Sequence, residues 1–120
     1  MTTHGGADPF LTKAALADAV KRYLGSRDPH DAAASPLYGN VAGLPPIRID
    51  VGDQEILLDD SVRYFERLVE ASGEGELHIW EGLPHVFPVL NGTLAAAEVA
   101  LNDIGSFLRD HLGLKQPVAV

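Results

Sequence analysis

Apolar residues recur at helical spacing in three stretches of this chain and at alternate positions in two others. Leu16, Val20 and Leu24 fall four residues apart, with Thr12 placed to cap the helix and Gly25 to end it. Val62, Phe65, Leu68 and Val69 make a second stripe, for which Asp60 or Ser61 is the expected N-cap. Leu94, Ala97, Leu101, Ile104 and Leu108 make a third, starting near Thr93 and stopping at Gly113. The run "IRIDV" (residues 47–51) alternates, which puts Ile47, Ile49 and Val51 on one face of a strand. Gly52 is expected to break that strand, "SGEGE" to end the helix after it, and "ELHIW" (residues 76–80) to form a second strand.

The stretch 26–46, "SRDPHDAAASPLYGNVAGLPP", carries four prolines and several turn formers, and reads as a long irregular connection. Connections of that length are usually functional or lie on a larger body. The order is therefore helix, long loop, strand, helix, strand, helix, with no internal repeat. A strand, a helix and a second strand form a βαβ unit, which implies parallel strands and a right-handed crossover. Parallel sheets normally have more than two strands and helices on both faces. The expectation is an α/β chain with a single, partial domain over 1–120. Residues 1–8 and 113–120 are tails, 9–46 hold the first helix and long loop, and 47–112 hold the strand–helix–strand–helix core.

Composition narrows the classes. The chain is 46% hydrophobic and 22% charged, as an ordinary globular protein is. A net charge of −8 argues against nucleic acid, where phosphate neutralisation dominates binding, and against an anionic membrane surface. The absence of cysteine removes disulfides and thiolate chemistry. The start, "MTTHGGADPF", has neither a basic nor an apolar leader region, and no apolar run approaches the roughly 18 residues of a membrane span. A cytoplasmic location is the expectation.

Chemistry gathers at the ends of the two strands. Ligands of open α/β sheets sit beyond the carboxyl ends of the strands. "GDQEILLDD" leaves the first strand there and "EGLPHVF" leaves the second. If the strands are neighbours, an acid from Asp53–Glu55 meets His85 at one rim. The carboxylate would fix the imidazole tautomer and leave the other ring nitrogen free to take a proton from a hydroxyl. Asp59 and Asp60 are expected to serve the following helix start instead. A metal site built from His78, His85, Glu81 and Glu55 is a weaker reading, because no H-E-x-x-H or comparable spacing is present. No cofactor is implied.

The run "SPLYGNVAGLPPIRIDVGDQEILLDDSVRYFERL", followed by "ELHIWEGLPHVF", resembles the C-terminal part of the hormone-sensitive-lipase-like esterases, α/β-hydrolases of the acetyl-esterase and arylesterase kind. "DPFLTKAALADAVKRYLG" resembles the segment before it, so the likeness covers roughly residues 7–112. It implies an α/β-hydrolase fold with Glu55 of "EILLDD" as the triad acid and His85 of "GLPHVF" as the triad histidine. Glu stands where the commonest pattern has Asp; its longer side chain still reaches an imidazole. Asp53 is the alternative acid.

The family's serine belongs in a G-x-S-x-G elbow upstream of the acid. None of Ser26, Ser35, Ser61, Ser72 and Ser106 lies in one. "HGG" (His4–Gly6) mimics the oxyanion motif, but "DPFLTKAAL" follows it at once, a segment the family carries after the nucleophile, so the glycines read as a tail. The expectation is a C-terminal fragment of a carboxylic ester hydrolase, inactive alone, acting on a small acyl ester once an N-terminal half completes it. The alternative is a non-catalytic interaction module, or degenerate homologue, that associates through an exposed strand edge. Either way self-association is expected, since such esterases often pair through the last strand, here 76–80, and the last helix.

Overall fold

The computed structural model describes residues 8–114 of the 120, so His4–Gly6 and the final six residues lie outside the described part. Two units are distinguished, one up to His85 and one from Val86 onward.

The first unit begins with α1 (Lys13–Leu24), where the Thr12 hydroxyl accepts from the Ala15 amide at 3.1 Å and Gly25 follows at φ 58°. None of its residues is buried, and Val20 is 40% exposed, so the apolar stripe read from the sequence stays largely open. The long connection contains a short 3-10 turn, Pro36–Tyr38, and is tied to the next helix by Arg67 Nη2, which donates to the Gly39 carbonyl at 2.7 Å.

β1 (Ile47–Gly52) and β2 (Gly75–Trp80) pair in parallel, with Ile47 opposite Gly75 and Gly52 opposite Trp80. α2 (Leu58–Glu70) joins them. A Cβ added to Gly75 would come within 2.8 Å of Leu68 Cδ2. Cβ atoms on paired residues point to one face, so α2 packs on the face that Ile47, Ile49 and Val51 share. Leu68 is fully buried, and truncating such a side chain to alanine typically costs about 2–5 kcal/mol.

The opposite face is polar. Arg48 grips both oxygens of Asp50, Nε at 2.7 Å and Nη2 at 2.9 Å, and Trp80 Nε1 adds a 3.0 Å bond to the same carboxylate. Both charged side chains are only 7% exposed, and a buried pair of this kind holds only when its hydrogen bonds are met this fully.

The second unit contains a 3-10 turn, Phe87–Leu90, packed on α3 (Ala95–Leu112), which Gly113 ends in the left-handed region at φ 64°. Phe87, Ala97 and Ala100 are buried.

Four boundaries differ from the sequence reading. Gly52 belongs to β1, and β2 starts at Gly75. α2 begins at Leu58, so Asp60 and Ser61 lie inside it and Leu57 stands at the N-cap without a side-chain bond. α3 begins at Ala95. The expected tail is also shorter, because Asp8 is only 7% exposed and its carboxylate binds the Ile56 amide at 3.3 Å.

Candidate active site

Beyond the last rung of the sheet, the two strand-end loops stay hydrogen-bonded. Asp53 N–H donates to the Trp80 carbonyl at 2.9 Å, and Gln54 N–H to that of Leu83 at 3.3 Å. The loops approach so closely that a Cβ on Gly52 would lie 1.9 Å from the Leu83 carbonyl oxygen. Gly52 is therefore a requirement of the approach rather than a strand breaker.

The turn 52–55 is closed by a 3.1 Å bond from the Glu55 amide to the Gly52 carbonyl. It folds the Glu55 side chain inward, where it is 6% exposed. One carboxylate oxygen, Oε2, accepts the Gly52 amide at 2.6 Å, and the other, Oε1, lies 2.5 Å from Nδ1 of His85. An ionised carboxylate can only accept, so Nδ1 is the donor of this bond, and in the neutral ring the lone pair is left on Nε2. The His85 side chain is 26% exposed, and Nε2 has no hydrogen-bond partner among the described residues.

Asp53 is placed differently. Its Oδ1 accepts the Gly82 amide at 2.8 Å and Gln54 Nε2 at 3.1 Å, so it tethers the histidine loop by the backbone, while Glu55 takes the imidazole. The four residues weighed for a metal have separate surroundings. His78 stands on β2 against Glu76, His85 sits in the loop against Glu55, and Glu81 is exposed.

The serines occupy structural positions. Ser35 donates to the Pro29 carbonyl at 2.7 Å, Ser61 is inside α2, and Ser106 accepts from Arg109 in α3. Ser72 has φ 57°, the kind of strained backbone a nucleophile elbow uses, but it connects α2 to the start of β2, the end away from His85.

Asp8 escaped the sequence reading. Burial pushes its carboxyl up, but the amides of Phe10, Leu11 and Ile56 and the charge of His85 outweigh that and hold it below the usual aspartate value. A composition of small and polar residues around it gave no signal, because its partner Ile56 is 48 residues away.

A family model described as "alpha/beta hydrolase fold" matches residues 1–89. An esterase of Acinetobacter venetianus is 37% identical over 101 residues, covering 83% of this chain and 33% of the relative. An acetyl-hydrolase of Streptomyces hygroscopicus is 32% identical over 112 residues, covering 93% and 38%. The crystal structure of an esterase from the bacterial hormone-sensitive lipase family superposes with a TM-score of 0.88 at 35% identity, covering 92% of this chain and 37% of that one. The chain thus spans only about a third of the length of the relatives it matches. Within that third, the chain belongs to the alpha/beta hydrolase fold family, alongside the esterases of the hormone-sensitive lipase group.

Proposed function

We propose that this chain is the C-terminal, acid-and-histidine portion of a carboxylic ester hydrolase whose serine lies on the two thirds of the fold it does not contain. One observation carries the reading: a buried Glu55 carboxylate, fixed by its own turn, meets Nδ1 of a part-exposed His85. Fold alone would not support it, since one fold hosts many chemistries.

In the completed enzyme, His85 Nε2 takes the proton of the serine hydroxyl as it attacks the ester carbonyl, then returns it to the leaving alcohol. Glu55 holds the tautomer and stabilises the imidazolium. A second cycle with water as nucleophile, activated by the same Nε2, releases the acid and frees the serine. The printed name of the Streptomyces relative, an acetyl-hydrolase, favours short acyl groups. Alone, the chain offers neither a G-x-S-x-G elbow nor the oxyanion donors that accompany it, and is inactive. Its two-stranded sheet has an open edge on each side among the described residues, where missing strands or a second copy would pair.

The test is to mix the purified chain with the N-terminal two thirds of a related esterase, carrying the serine, and assay p-nitrophenyl butyrate. Hydrolysis is expected from the mixture and from neither part alone. A stable complex that stays silent, or serine-reagent-sensitive turnover by the isolated chain, overturns the reading.

A further inference from the structure

Glu55 and Asp8 are both buried, at 5% and 7% exposure. The hydrolytic reading uses the first and leaves the second without a task. Asp8 stands before α1, far from the acid turn in sequence, yet it is built into that turn's surroundings. Its Oδ1 accepts the amides of Phe10 at 2.8 Å and Leu11 at 3.0 Å, an arrangement that fixes the carboxylate's direction. Its Oδ2 accepts the amide of Ile56, the residue next to Glu55, at 3.3 Å. Ile56 is itself 1% exposed, so without Asp8 its N–H would be left without this partner in a place closed to water.

We infer that Asp8 is a positioning residue for the Glu55–His85 pair: its carboxylate fixes the Ile56 amide behind Glu55 and sets a second negative charge beside the imidazole. The inference rests on the reading of Glu55 and His85 as a catalytic pair, and it gives that pair a rear support from a different part of the chain. The charge matters as well as the bond. A base that becomes cationic during turnover is favoured by each fixed anion that faces it in a site of restricted solvation. Two carboxylates then divide the work. Glu55 supplies the direct hydrogen bond, and Asp8 supplies alignment of the backbone and part of the field.

Two substitutions separate the two contributions. Asp8→Asn keeps an acceptor oxygen and removes the charge, whereas Asp8→Ala removes both. In the isotope-labelled 120-residue chain, amide exchange reads the Ile56 bond and the ring resonances report the surroundings of His85. Ile56 exchange is expected to be about 10-fold faster in Asp8→Ala, a loss typical of one hydrogen bond, and to be accelerated less in Asp8→Asn, which keeps a neutral acceptor. The His85 ring resonances, read at one pH, are expected to move in both variants relative to the unsubstituted chain, because each removes the Asp8 charge that interacts with the imidazole.

His85→Gln supplies a reciprocal measurement that leaves Asp8 in place. The Asp8 carboxyl carbon should then titrate at higher pH, because one of the charges holding it down is gone. An Ile56 change without any His85 or reciprocal Asp8 shift reduces Asp8 to a structural cap and overturns the inference, as does an Ile56 amide indifferent to Asp8→Ala. None of these readouts involves turnover, so they fail or succeed separately from the mixing assay that tests the hydrolase reading.

Discussion

The turn that carries Glu55 and the loop that carries His85 leave neighbouring strands at the same end of the sheet, yet they are held in different ways. In the acid turn every backbone N–H from Gly52 to Ile56 donates a hydrogen bond: to Glu55 itself, to Trp80, to Leu83, to Gly52 and to Asp8. The histidine loop takes its anchors from that turn, through the Asp53 carboxylate on Gly82 and the Glu55 carboxylate on His85. It also contains backbone in the left-handed region, at Gly82 with φ 72° and, beside the histidine, at Val86 with φ 51°. A β-branched residue there is strained. The acid is thus a fixed reference, and the histidine is hung from it. In the proposed hydrolase, a base that must accept and return a proton gains from some freedom, whereas its orienting acid does not.

That contrast is most exposed by exchanging the acids one at a time in the completed enzyme. Glu55→Gln should lower kcat by about 10³–10⁴, the scale seen when a triad acid loses its charge. Asp53→Asn, which keeps an acceptor for Gly82, should cost less than about 10-fold, roughly one weakened hydrogen bond. Steady-state kinetics decide, and the opposite ranking would exchange the two roles.

Next in size is Gly52→Ala. The added carbon meets the Leu83 carbonyl, a backbone atom that cannot swing aside, so the histidine loop must part from the acid turn. Urea unfolding should show a loss of about 3 kcal/mol, the upper part of the overpacking range. A loss under about 1 kcal/mol would mean that the loops are not locked together.

Asp8 gives a smaller effect with a defined pH dependence. Its folded carboxyl sits below the usual value, so it contributes stability above the unfolded value near about 3.9 and loses it as pH falls through the folded one. Asp8→Asn should be less stable than the unsubstituted chain by about 1 kcal/mol at neutral pH, the difference between a charged and a neutral acceptor. The gap should stay constant down to about pH 4 and close below it. Urea melts at pH 7, 4 and 3 measure it; a gap that widens on acidification contradicts the assignment.

Smallest is Val86→Gly, which relieves left-handed strain of about 1–3 kcal/mol but adds a glycine's unfolded-state entropy, about 0.5–1 kcal/mol. A net gain of about 0.5–1 kcal/mol in thermal unfolding is expected, with a histidine loop more mobile than before. Destabilisation would show that the valine side chain repays its backbone.

Much of this was legible from local pattern. The βαβ order, the Thr12 cap and the Gly113 stop follow from periodicity, and the strand ends lead an acid of 53–55 toward His85; the choice of Glu55 among them came from the family resemblance. What periodicity could not report is contact between distant backbone groups. Asp8 looked like tail because its partner is Ile56, and Asp53 looked like a rival acid because the free Gly82 amide is invisible in a string of letters. Gly52 was read as a breaker, although its missing side chain serves the Leu83 carbonyl opposite. The helix starts moved for a similar reason. The 52–55 turn runs straight into α2, with Leu58 N–H donating to Glu55 O, so the helix needed no polar cap at Asp60.

The Glu55 carboxylate returns to the amide of Gly52, three residues before it, and so helps to close the turn on which it stands. An aspartate, one methylene shorter, could not trace the same ring. The acid is therefore built as a block, Gly52 through Glu55, rather than as a single side chain. A designer who transplants only the glutamate and the histidine onto another sheet would carry over the chemistry without the small loop that aims it.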